Sequence, residues 1–220
     1  MNRFALVLIA ACALSACASK PKSPDWAMNE QGAVERATDA YLSGKVQIAA
    51  VEWERARDEV RRTARPDLLA RLELVRCAAQ VAALETTACE AYEPLAASAA
   101  APERAYARYL RGALLSGDLA LLPPQHQAVA AAADAGPQAA AAALAGMADP
   151  LARLVAAGAL AARGPVAMAV VQQAVDTASA QGWSRPLMAW LLNQRRLAQE
   201  QGDAALAAQA QQRLQLLAPR

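Results

Sequence analysis

Aromatic side chains are scarce in this 220-residue chain, at 4% of the total, and its only phenylalanine is Phe4. A sheet core is normally built from aromatic and β-branched residues. No stretch alternates apolar and polar residues in the period of two that a half-buried strand requires, so a β architecture is excluded. Histidine occurs once, at His126, between Gln125 and Gln127 after two prolines. A histidine-based triad or metal site would need partners that the sequence does not supply. The ten glycines occur singly, so no glycine-rich loop can cradle a phosphate. Charge of one sign is also lacking, with 22 basic against 20 acidic residues and a formal net charge of +2. No basic block marks a surface for nucleic acid or anionic lipid. These absences predict a chain that is not an enzyme, holds no cofactor or metal, and does not bind nucleic acid.

What is present begins at the N-terminus. Met1-Asn2-Arg3 carries one positive charge, Phe4 to Leu14 is apolar, and Leu14-Ser15-Ala16-Cys17 follows. This is the layout of a secretory signal, and its apolar run is shorter than the roughly 20 residues that span a bilayer. The segment resembles the signal of bacterial lipoproteins, whose lipobox ends in a cysteine. The resemblance implies diacylglycerol on Cys17, cleavage before it and N-acylation afterwards. Ala18 stands where an aspartate typically retains such proteins in the inner membrane, so the same resemblance implies the periplasmic face of the outer membrane. The alternative is an ordinary signal peptide with a chance cysteine. The expected organisation is a signal over 1–16, a lipidated cysteine and tether over 17–25, and one folded domain over 26–220. Ser19 to Asp25 is polar and carries Pro21 and Pro24, as an extended tether would.

With Cys12 in the signal and Cys17 lipidated, Cys77 and Cys89 remain. In an oxidising periplasm they are expected to form a disulfide, contributing on the order of 3 kcal/mol in the chain-entropy model. Two buried thiols are the alternative. Geometry adds a condition. With a turn centred on Thr86, an ideal antiparallel pair would leave the two cysteines offset by about 9 Å, too far for a disulfide. The bond requires the helix carrying Cys77 to end near Ala82 or Ala83, or the next helix to begin irregularly.

The body of the chain is rich in Ala, Leu, Gln, Arg and Glu, which lose least on entering a helix. Breaks divide it into ten or eleven short helices. The first runs from Trp26 to Ser43 and is stopped by Gly44. A second covers Lys45 to Ala64 and is closed by Pro66. A third covers Asp67 to about Ala83 and is apolar on two sides, as a helix between neighbours must be. A short fourth holds Cys89, Tyr92 and Leu95. Pro102 opens a fifth with Tyr106, Tyr109 and Leu110. Gly117-Asp118 and Pro123-Pro124 interrupt, and an alanine-rich stretch from Gln125 to Ala148 contains Gly136-Pro137. Asp149-Pro150 is an N-cap with proline in the first turn, opening a helix to Arg163. Gly164-Pro165 restarts the chain, Ser184 and Pro186 open another helix, and a last one follows Gly202-Asp203 to Ala218.

Gly44, Gly117, Gly164 and Gly202 recur at one or two units of about 35–45 residues, a period of helical-hairpin solenoids. Gly44 is followed by Ala49, Trp53 and Ala56, and Gly202 by Ala207, Leu214 and Pro219. A turn glycine, a small residue five later, bulkier residues and a closing proline resemble the second half of a tetratricopeptide repeat. The resemblance covers the first and last hairpins. Gly164 keeps the small residue but has polar positions after it, and the units at 67–98 and 102–134 fit in length alone. The expectation is an all-α solenoid of antiparallel hairpins, with an irregular helical bundle as the alternative.

Trp53, Trp190, Tyr41, Tyr92, Tyr106 and Tyr109 lie at helical spacing and read as core. Trp183, in a turn between Gly182 and Ser184, is expected to be exposed and could anchor a partner, since tryptophan and arginine dominate interface hot spots. Arg104, Arg108 and Arg111 fall near one face of the fifth helix and could line a groove. His126 reads as an exposed loop or helix-start residue. Tetratricopeptide-like lipoproteins serve as adaptors or scaffolds, and the resemblance implies a lipid-anchored, non-catalytic protein with a periplasmic or outer-membrane protein partner. The alternatives are a small-ligand or glycan-binding lipoprotein and an accessory to a cell-wall enzyme.

Overall fold

The computed structural model describes residues 24–85, 87 and 89–217. The signal over 1–16, Cys17 and the tether up to residue 23 lie outside the described residues. Among the described residues the fold is all-α. The helices are α1 (Asp25–Leu42), α2 (Val46–Arg61), α3 (Pro66–Ala82), α4 (Ala101–Leu110), α5 (Pro124–Asp134), α6 (Pro137–Ala145), α7 (Pro150–Arg163), α8 (Met168–Gln181), α9 (Ser184–Glu200) and α10 (Ala204–Leu217). Glu93–Ser98 and Asp118–Leu121 are short 3-10 turns. The helix expected around Cys89, Tyr92 and Leu95 is therefore a run of turns ending in the first of these. Cys89 sits at φ 73°, outside the helical region, and breaks that segment.

Punctuation in the sequence acts as its chemistry dictates. Gly44 takes φ +77° after α1, and the Lys45 amide reaches back to the Ala40 carbonyl at 2.7 Å, a tight αL closure. Asp149 caps α7 by accepting from the Ala152 amide at 2.6 Å, and Asp203 caps α10 by accepting from Leu206 at 2.9 Å. Pro137 splits the alanine-rich stretch into α5 and α6.

Two cores result. The smaller one joins α1 to α2 through Ala33, Ala37 and Ala40 against Ala49, Trp53, Ala56 and Val60, with Leu72 of α3 beneath. The larger one runs from α3 to α10. Both are alanine-rich, so helix axes must approach closely for small side chains to fill the space. The closest approach falls where α7 crosses α3: a Cβ on Gly158 would stand 2.2 Å from the Val81 carbonyl oxygen. Glu73 of α3 is buried and paired to Arg57 of α2 at 2.5 Å. From its N-terminal half, α9 holds two earlier helices. Buried Trp190 donates its indole N–H to the Ala82 carbonyl at 3.0 Å, satisfying an open end of α3. Arg185 donates to the Tyr41 carbonyl at 3.2 Å and to Glu85 at 2.9 Å. Consecutive helices pack as α1 with α2 and as α7, α8, α9 and α10 in turn, while α3 packs on α7 and α1 touches α9.

Cys77 and Cys89 form a disulfide with their Cα atoms 4.6 Å apart. The condition set by helix geometry is met in both parts: α3 stops at Ala82, and Cys89 enters from irregular turns.

Candidate functional site

A groove of about 600 Å³ lies between the outer edge of α3, the start of α4 and the segment leading into α5. Arg71, Leu74 and Val75 line one wall; Pro102, Glu103 and Tyr106 line the second; Leu121 to Gln125 close it. The chain builds this wall with prolines for a physical reason. Pro102 and Pro124 each stand in the first turn of a helix, where the missing N–H is not needed. Pro123 holds the preceding backbone extended. Apolar surface is left open at its rim, with Val75 37% and Leu121 38% exposed. The Oε2 atom of Glu103 is buried and has no hydrogen-bond partner.

Behind Tyr106 lies a ring cluster that sequence reasoning missed. His126 is buried, not exposed as expected, and its ring lies 5.6 Å from Tyr106 and 5.1 Å from Tyr109. The Tyr109 hydroxyl is 3.4 Å from His126 Nδ1. Loss of solvent outweighs the attraction of Asp149 and lowers the imidazole pKa to about 4, so the ring is neutral near pH 7. Flanking glutamines suggested the surface. Pro124 instead starts α5 two residues earlier, and the first turn then swings His126 inward.

The expected arginine surface is already occupied by the protein itself. Arg108 makes a bidentate pair with buried Asp118 at 2.8 and 2.6 Å, and Asp118 also caps the Leu115 amide. Those bonds hold the Asp118 carboxyl down at about 2. Arg104 donates to the Ala99 carbonyl. Arg111 pairs with Glu93 and lies 6.0 Å from the centre of the Tyr92 ring. The three arginines do gather around Tyr92, where they brace the 93–121 segment. They line no common groove: Arg111 alone reaches a cavity, about 450 Å³ between α3, α4, α7 and α9, beside Glu85, Gly158 and Asn193. Trp183 differs from expectation too. It precedes Ser184 at the start of α9 and is half-buried against the main core.

The cleft between α1 and α2 carries Arg36, Arg55 and Arg62, but each is bonded to Glu52 or Glu59 of the same hairpin. Among the described residues no group of three or more His, Cys, Asp or Glu side chains could hold a metal ion. No family model, curated protein or solved structure matches this chain. The site must therefore be read from its own geometry. Its means are apolar contact, aromatic and proline surface, and one carboxylate and one guanidinium that have no hydrogen-bond or ion-pair partner among the described residues. It has the shape and lining of a binding surface.

Proposed function

We propose that this chain is a lipid-anchored protein on the periplasmic face of the outer membrane that binds a segment of a partner protein and acts as a non-catalytic adaptor. The observation that carries the reading is the groove on α3 and α4, open, apolar at its rim and lined by Tyr106 and three prolines. Surfaces of this kind suit extended peptide segments, because rigid rings and prolines lose little entropy when covered. Stacking of α7 to α10 on nearest neighbours supports a repeat-like hairpin array there, while the α3–α7 and α1–α9 contacts favour the bundle description for the N-terminal half. Among the described residues no helix is long and apolar enough to cross a membrane, which is consistent with anchoring through Cys17.

A second reading rests on the cavity between α3, α4, α7 and α9. Asn193 Oδ1 is buried there without a hydrogen-bond partner, near Glu85 and Arg111, a polar set that suits a small hydrogen-bonding ligand such as a sugar. Photo-crosslinking residues placed at Val75, Leu121 and Asn193 in intact envelopes separate the two. The adaptor reading expects discrete protein adducts from Val75 and Leu121 and none from Asn193. Absence of protein adducts at both rim positions overturns it, and a small molecule co-purifying with the chain but lost on Asn193→Leu would establish the second.

A further inference from the structure

Eight acidic residues among those described are buried or half-buried, namely Glu30, Glu52, Glu59, Asp67, Glu73, Glu85, Glu103 and Asp118. Glu52, Glu59, Asp67, Glu73, Glu85 and Asp118 are each paired to an arginine. Glu30 and Glu103 are not, and they share one surface. The N-terminal part of α1, with Trp26 and Glu30, forms a second groove of about 420 Å³ against α3. Arg71 and Val75 line both this groove and the one at Glu103, so the two adjoin along the outer edge of α3. Leaving two carboxylates shielded and unpaired on one apolar track costs stability. Burial pushes the Glu30 carboxyl up even with Arg71 nearby, which shows how little the local cation compensates it.

Resting on the adaptor reading, we infer that these two adjoining grooves recognise an extended partner segment in which a lysine or arginine is flanked by apolar residues. The basic side chain would donate to the half-buried carboxylate of Glu103 or to that of Glu30, and the flanking residues would cover Val75, Leu121 and the Tyr106 ring. A charge-assisted hydrogen bond made out of water is about twice as strong as a neutral one, and it supplies selectivity that the apolar rim lacks. Arg71, exposed and without a hydrogen bond or ion pair among the described residues, lines both grooves and suits a backbone carbonyl of the same segment.

The test uses the full chain purified from membranes and three labelled hexapeptides, Leu-Val-Xaa-Pro-Leu-Val, with Xaa as lysine, norleucine or glutamate. Fluorescence anisotropy should show the lysine peptide binding about tenfold tighter than the norleucine peptide, the scale of one good charged contact. Glu30→Gln with Glu103→Gln, which preserves shape, should shrink that preference to less than about twofold with unchanged circular dichroism. Glu103→Lys should shift preference toward the glutamate peptide. Equal affinity for lysine and norleucine, or no binding by any peptide, overturns the inference. A Lys20→Gln, Lys22→Gln variant that binds the lysine peptide more tightly would show that the chain's own N-terminal segment competes for the groove and overturns the partner assignment. Rim adducts in intact envelopes together with no lysine preference would leave the adaptor reading standing and remove only this refinement.

Discussion

His126 shows how one residue couples burial to conditions. Its pKa of about 4 lies below the ordinary 6.5 because burial disfavours the imidazolium. A base whose folded pKa is depressed adds stability that is fully present above the unfolded value and is lost as pH falls toward the folded one. The window is therefore pH 6.5 down to 4, and at pH 5 the loss is about 2 kcal/mol. Asp118, with its carboxyl held at about 2 against an ordinary 3.8, contributes stability that fades only below that window. Urea denaturation midpoints should thus fall between pH 6.5 and 4 in the native chain and stay nearly level in His126→Asn. A midpoint in the native chain that does not move over this range would show that the ring is not buried as described. The sequence concealed this residue because polarity of neighbours is a poor guide within the first turn of a helix, where direction changes by 100° per residue. Cys77 and Cys89 were legible for the opposite reason: the parity of the remaining cysteines and helix geometry constrain a disulfide more tightly than neighbours constrain a lone histidine.

Whole helices were the most readable level, because their ends are set by local chemistry. Asp149-Pro150 and Gly164 bound α7 as the sequence implies, and Gly44 and Gly202 close α1 and α9. What the sequence could not convey is which helix meets which. Gly158 sits inside α7 with nothing in its surroundings to mark it, yet the α3 backbone passes within the space of its missing side chain. Two glycine-to-alanine changes separate propensity from packing. Gly32 lies inside α1, and a Cβ there would meet only the flexible end of Arg36 at 3.2 Å. Gly32→Ala should stabilise by up to about 1 kcal/mol, the ordinary helix preference for alanine. Gly158→Ala gains the same preference but forces α7 off Val81, and overpacking of this kind typically costs about 1–3 kcal/mol. Thermal denaturation followed by far-UV circular dichroism should move in opposite directions for the two. A neutral Gly158→Ala would mean that α3 and α7 are not in backbone contact.

At the scale of the molecule, the groove and the proposed N-terminal anchor bear on each other. Trp26 and Glu30, at the start of α1, line the groove that adjoins the one at Glu103. From Cys17 to Pro24 the chain can extend at most about 25 Å at 3.3–3.6 Å per residue. A lipid on Cys17 would thus keep the α1 end of the groove near the bilayer surface, within reach of partners that are themselves membrane-bound. Anchoring would also raise the effective concentration of such partners, so a weak groove could suffice. The premise is open to direct test. Intact-mass analysis of protein from membranes should show residues 1–16 missing and an acyl increment on Cys17, and Cys17→Ala should accumulate as unprocessed precursor. One acyl chain holds a protein only marginally, whereas several on one cysteine give firm attachment at about 0.8 kcal/mol per buried methylene. Carbonate washing should therefore leave the native chain in the membrane pellet. A soluble chain cut at a position other than Cys17 would sink the anchor. The groove would then have to find its partner by affinity alone.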